Sequence, residues 1–217
     1  MPRVKRYDVI IVGAGPAGIF SCYKLINKNP NLKIALVEMG DSIKQRSHKD
    51  VMSGFGGAGT YSDGKLHFTP KLSHERTFHL ITPKNYQKLL DEIENIFIAF
   101  GIEAEEYPKD PKIAERFVAE AQKNELELII RRSKHVGTDV LKKMMVDFQE
   151  YLENKGVEMF FNTKVCDLKI KSGKFDKIII GEGQPKNIYG KTVLLAPGRV
   201  NARWLQLLGD EHGIEYE

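Results

Sequence analysis

Residues 7–20, YDVIIVGAGPAGIF, open on a run of Val and Ile and break into three glycines, Gly13, Gly15 and Gly18. A short apolar run of this kind reads as a strand buried in a parallel sheet. It passes into a tight turn and then a helical stretch to about Lys28, where NKNPN stops it. Each glycine has a physical reason. Gly13 permits the turn, Gly15 lets the backbone approach a pyrophosphate, and Gly18 lets helix and strand pack closely. Pro16 and Ala17 form the first helical turn, where a missing N–H at Pro16 costs nothing. The unpaired N–H groups and the positive end of the helix dipole then face phosphates.

A lone GxGxxG is weak evidence, but here a second strand, KIALVE, ends in Glu38, twenty residues after Gly18. A carboxylate at that place accepts hydrogen bonds from ribose hydroxyls and repels a 2′-phosphate, which argues against NADP. Strand, turn, helix, strand and acid together specify a dinucleotide site. They do not separate NAD from FAD, because the turn meets only the ADP half. The helix end contributes only about 0.3–2 kcal/mol, so further contacts must lie elsewhere. A second glycine run, GFGGAGTYSDGKL at residues 54–66, is the candidate. Ordering so many glycines is entropically costly. It reads either as a loop shaped for close approach by a ligand or as a glycine-rich surface loop.

The chain has 217 residues, 41% hydrophobic and 29% charged, enough for one large domain or one and a half. Its 33 basic and 29 acidic residues leave +4, with the lysines scattered rather than blocked, which speaks against a nucleic-acid partner. Cys22 and Cys166 have no CxxC spacing and read as thiols in a reducing compartment. His48, His67, His74 and His79 lack ligand spacing, so no metal is expected. The basic start and apolar run imitate a signal peptide, but Asp8, Gly13, Gly15 and Pro16 fit a strand and turn better. No stretch reaches the ~18 apolar residues of a membrane span. The expectation is a cytoplasmic protein.

Farther along, TPKNYQKLLDEIENIFIAFG predicts a helix with Thr82 as cap, Pro83 first and Gly101 after its end. Leu89, Leu90, Ile93, Ile96, Phe97 and Phe100 form its apolar face. DPKIAERFVAEAQKN predicts another helix and LELIIRR a strand. A long helix follows KHVG, capped by Thr138 or Asp139 and stopped by Gly156. From 157 the period changes to two: VEMFFNTKVCDLKIKSG, KFDKIIIGEG and NIYGKTVLLAPG read as strands, with Ser172-Gly173 a hairpin turn. TVLLAPGR should return to the buried parallel sheet. The fold expected is α/β, Rossmann-like, with a parallel sheet, a β-meander and a helical insertion at 73–131 between portions 1–72 and 132–217.

GFGGAGTYSDGKL, HVGTDVL (135–141) and LLAPGR (194–199), together with the first turn and Glu38, resemble the FAD-dependent dehydrogenases of the two-dinucleotide-binding-domain flavoproteins. The resemblance runs over essentially the whole chain. It implies FAD, with Gly13, Gly15 and Gly18 at the pyrophosphate and Glu38 at the adenosine ribose. It also implies that Val165 meets adenine through its backbone and that Ala196, Pro197 and Gly198 pass near the nucleotide. The second loop would extend toward the flavin, with Gly56, Gly57, Gly59 and Thr60 nearest. Ser62, Asp63 and Lys65 read either as flavin or substrate contacts or as a turn, and His135 as a cofactor contact or a capping histidine. Arg46 is a candidate for a ribose or phosphate.

Members of that family are about twice as long and return to the first domain with a last flavin-binding strand. Here LQLLGDEHG reads as a helix end, and no separate NAD domain is expected. The expectation is therefore an N-terminal, truncated portion of an oxidoreductase that holds FAD weakly by itself. Its substrate and its electron donor or acceptor would be small molecules. An NAD-linked dehydrogenase and a non-catalytic nucleotide-binding module are the alternatives.

Overall fold

A computed structural model of the chain describes residues 4–47, 50–70, 80–181 and 184–215. His48, His74, His79 and the boundary expected at 72–73 lie outside these residues. The chain divides into two units, residues 1–60 with 145–217, and residues 61–144.

The first unit is built on β1 (Arg6–Val12), α1 (Pro16–Lys28) and β2 (Ile34–Val37). Each residue of β2 is buried, as an apolar run between two layers requires. β6 (Glu158–Phe160), β7 (Val165–Lys171), β8 (Lys174–Ile180) and β9 (Lys186–Leu195) complete a six-stranded sheet in the order β6-β2-β1-β9-β8-β7. The first four strands of that order are parallel and β8 and β7 are antiparallel. Meander and parallel sheet are thus one surface. β9 joins them, pairing β8 through Lys186–Tyr189 and β1 through Tyr189–Leu195.

The α/β fold and the parallel sheet agree with the sequence expectation, and three details differ. Residues 157–171 form two strands, because Asn162 turns the chain at φ +49° and the Thr163 N–H is taken by the Glu38 carbonyl. Val193, Leu194 and Leu195 are half-buried, not buried. Val193 and Leu195 pack on the core beside Ile10 and Val12, whereas Leu194 alternates to the other face. LELIIRR is not a strand. Leu126, Leu128 and Ile129 are exposed, and pairing begins only at Ser133.

Helices cover both faces of the sheet. Ile11 lies against Gly18 of α1, and Phe148 of α4 (Thr138–Asn154) stacks edge-on against Phe20 and Tyr23 at 5.5 Å. On the opposite face Leu208 of α5 (Ala202–His212) joins Ile10 and Val12. Ile10, Ile11 and Phe148 are fully buried, each contributing about 1.5–3 kcal/mol through desolvation. Cys22 is also fully buried, which pushes its thiol up to about 12 and makes it unreactive. No helix among the described residues is long and apolar enough to cross a membrane.

The second unit holds β3 (Lys65–His67), α2 (Pro83–Ala99), β4 (Glu106–Tyr107), α3 (Pro111–Lys123), β5 (Ser133–His135) and the start of α4. Thr82 and Asp110 cap α2 and α3 by accepting from Asn85 and Lys112 N–H groups. α4 starts at Thr138 itself, whose hydroxyl donates to the Ser62 carbonyl. Leu89, expected on the apolar face of α2, is exposed, while Glu94 is buried there. Glu94 binds Arg132 and, at 2.8 Å, Lys134. Burial would push the Glu94 carboxyl up, but hydrogen bonds from Lys134 and Arg132 outweigh it and hold the group below its usual value.

The stability from this group is complete above the unfolded carboxyl value of about 4.3 and is lost as pH falls through the lower folded value. Glu94→Gln should cost about 1–3 kcal/mol at neutral pH and flatten the acid limb of the thermal unfolding profile. An unchanged acid limb would contradict the assignment.

Candidate functional site

The C-terminal ends of the parallel strands form one cleft of about 420 Å³, within the size range of ligand pockets. It is lined by five segments of the first unit: the β1–α1 turn, the end of β2, the glycine loop, residues 163–165, and the stretch from Ala196 to Trp204. Val12 ends β1, and the chain turns at Gly13 with φ +100°. A side chain at Gly13 would collide with the Ala196 carbonyl oxygen at 2.2 Å, and one at Gly18 with that of Gly13 at 1.8 Å. The protein itself therefore requires both glycines. Gly15 caps α1 in extended conformation, Pro16 is its first residue, and no side chain caps this helix end. No acidic residue lies in its first turn, so no side-chain charge of that turn offsets the positive dipole end.

Glu38 is buried at the end of β2. Its Oε2 accepts the Ala14 N–H at 2.7 Å, and its Oε1 accepts those of Gly40 and Gly54, each at 2.9 Å. One carboxylate so ties the first glycine turn to the second. A carboxylate offers about four lone-pair sites. Three are taken, which leaves acceptor capacity for one more donor, on Oε2.

The second loop is threaded closely into the first turn. The Gly56 N–H donates to the Ala14 carbonyl at 2.8 Å. Gly54, Gly56 and Gly57 all have positive φ, and a side chain at Gly57 would lie 3.0 Å from the Gly15 Cα. A four-residue 3-10 turn, Ala58–Tyr61, follows. Arg46, a candidate ribose or phosphate contact, lies buried beneath the loop. Its guanidinium donates to the Phe55, Gly57, Asp50 and Val51 carbonyls at 2.7–3.1 Å. It fixes the shape of the loop from below.

Of the expected site residues, Gly13, Gly15, Pro16, Glu38, Gly57, Gly59, Val165, Ala196, Pro197 and Gly198 line the cleft. Ala17, Gly18, Arg46, Gly56 and Thr60 lie in the same unit but do not line it. Thr60 is buried, and its hydroxyl has no hydrogen-bond partner among the described residues. Ser62, Asp63, Lys65 and His135 belong to the second unit. There Asp63 accepts from the Lys65 backbone and pairs with its ammonium at 2.9 Å, and His135 Nε2 lies 3.0 Å from the Asp63 carbonyl. Sequence reasoning missed Met39, Met52, Lys164, Arg199, Asn201 and Trp204, which also line the cleft. The signal available for Trp204 was its place just after APGR as the one Trp of the chain.

No protein-family model matches the chain. An uncharacterised protein of Clostridium beijerinckii is 27% identical over 94% of this chain, which covers 33% of that protein. Among solved structures, L-amino acid deaminase from Proteus vulgaris superposes with TM-score 0.56 at 16% identity, over 98% of this chain and 51% of its own. Glycine oxidase from Bacillus cereus gives 0.55 at 16%, over 96% and 59%. A mutant of quinol fumarate reductase from E. coli gives 0.57 at 17%, over 89% and 33%. The chain spans between a third and about three-fifths of these proteins. The chain shares with these structures an α/β, Rossmann-like fold with a mostly parallel sheet.

Glu38→Ala should cost about 3 kcal/mol or more in urea unfolding, since three buried N–H groups each lose an acceptor at about 1–3 kcal/mol apiece. A loss below about 1 kcal/mol would show that the carboxylate does not hold the two turns.

Proposed function

We propose that this chain is the FAD-binding portion of a flavin-dependent oxidoreductase acting on a small-molecule substrate with a small-molecule electron donor or acceptor. The observation that carries the proposal is how the glycines divide. Gly13, Gly18, Gly54, Gly56 and Gly57 are required by the protein's own backbone or neighbours. Gly15 and Gly59 are not: neither has positive φ, and a side chain at either would meet nothing within 4 Å. Both line the cleft. Open space beside two such glycines fits a ligand whose backbone approach is close, and the residues present suit a dinucleotide.

In this reading the first turn of α1 and Gly15 hold the pyrophosphate, and Glu38 takes one ribose hydroxyl on Oε2. Gly59 lies along the path toward the flavin, and Val165, Ala196, Pro197 and Gly198 border the nucleotide. Bound flavin supplies hydride and electron transfer, with the protein supplying orientation and electrostatics. The neighbours' names, an amino acid deaminase, an oxidase and a reductase, support the redox reading by analogy of fold. The second glycine loop favours FAD over NAD, because it gives the cleft a wall beyond the ADP half.

Quenching of FAD fluorescence on titration with the chain tests this. Gly59→Ala and Gly15→Ala should leave stability within about 1 kcal/mol and weaken FAD about tenfold or more. Gly18→Ala should instead destabilise the fold by about 1–3 kcal/mol through overpacking. NAD binding tightly where FAD does not, or Gly59→Ala leaving FAD affinity unchanged, would overturn the assignment.

A further inference from the structure

The inference rests on the nucleotide site proposed above and concerns the base at its far end. The Thr163 N–H donates to the Glu38 carbonyl at 2.9 Å, so the 163–165 wall begins beside the acid assigned to the ribose. Three residues on, the Cys166 carbonyl accepts the indole Nε1–H of Trp204 at 3.1 Å. Thr163 to Cys166 spans at most about 11 Å of chain, the reach of a nucleoside. Trp204 sits in the first turn of α5 and borders the cleft. It is half-buried, and its apolar body packs on the core cluster that includes Val165, Leu168 and Leu208.

The indole is therefore held at its polar edge by one wall of the cleft and along its body by the core. A ring fixed at two places loses little further freedom when a ligand arrives. Among the described residues it is also the one aromatic side chain lining the cleft. Lys164, Arg199 and Asn201 also line the cleft, and of these the Arg199 guanidinium alone offers a flat face, smaller than the indole. A purine is flat and aromatic on both faces, and stacking on an indole is sequence-tolerant and strong. We propose that Trp204 is a positioning residue that stacks on the adenine ring and so orients the ADP half of the cofactor along the cleft.

Trp204 is the sole tryptophan of the chain, so its emission reports the contact without any mutation. The probes are ADP, ribose 5-phosphate and inorganic pyrophosphate, titrated into the chain while Trp emission and binding heat are recorded. ADP should change the emission saturably, and the two probes without a base should not. Trp204→Leu should weaken ADP about tenfold and leave pyrophosphate unaffected. Trp204→Phe, which stacks but cannot donate to Cys166, should stay within about threefold of the native protein for ADP. Binding of ADP with unchanged Trp emission would overturn the proposal and leave the nucleotide site standing. Equal weakening of ADP and pyrophosphate in both variants would also overturn it, since that is the mark of a loosened α5. Absence of any ADP heat would overturn this proposal and the nucleotide site together.

Discussion

The Glu38 carboxylate is the constraint on which the site depends. Two backbone turns with adjacent unpaired N–H groups do not pack against each other in a protein interior without an acceptor between them. Glu38 provides it, receiving Ala14 from the first turn and Gly40 and Gly54 from the entry to the second. β2 delivers the acid to that place because Val37 pairs with Val12, so both strands end level with each other. The sheet register thus sets the position of the carboxylate, and the carboxylate sets the distance between the turns. Arg46 completes the arrangement from beneath, with the opposite chemistry. A buried guanidinium collects the carbonyls of the loop, as the carboxylate collects its N–H groups.

Glycine serves two separate ends in this cleft. At Gly13 and Gly18 the neighbouring backbone leaves no room for a side chain, and at Gly57 a φ of +67° and a Gly15 Cα 3.0 Å away disfavour one, so these positions concern folding. At Gly15 and Gly59 the room exists, and in the proposed reading it is left for the ligand. The distinction matters because glycine in an ordinary conformation carries an entropic cost without a conformational return. It also separates stability from binding experimentally, which a count of glycines cannot do.

Much of this was legible in the chain. Gly13, Gly15, Gly18 and Glu38 fall where a strand–turn–helix–strand unit places them, since their spacing is dictated by local geometry. Thr82, Pro83 and Gly156 marked helix ends for the same reason. Long-range partners were not legible. Arg46 reads from sequence as a candidate for a ribose or phosphate, and only the return of residues 50–57 past it reveals five carbonyls within its reach. Nothing in the sequence marks Glu94 as buried, because its partners Arg132 and Lys134 lie some forty positions later. LELIIRR has the composition of a strand, yet no partner strand pairs with it among the described residues. β-propensity expresses what fits a half-buried pleated surface, not what finds one. Trp204 was hidden in an amphipathic helix, where an aromatic residue reads as core.

Hydrogen exchange measured with and without FAD tests the central claim most directly, because it locates binding on the backbone itself. The account predicts slowed exchange at residues 13–18, 54–60, 163–166 and 196–204, with α3 at 111–123 unchanged. Bound FAD with protection confined to other segments, or with none in the two glycine turns, would contradict it.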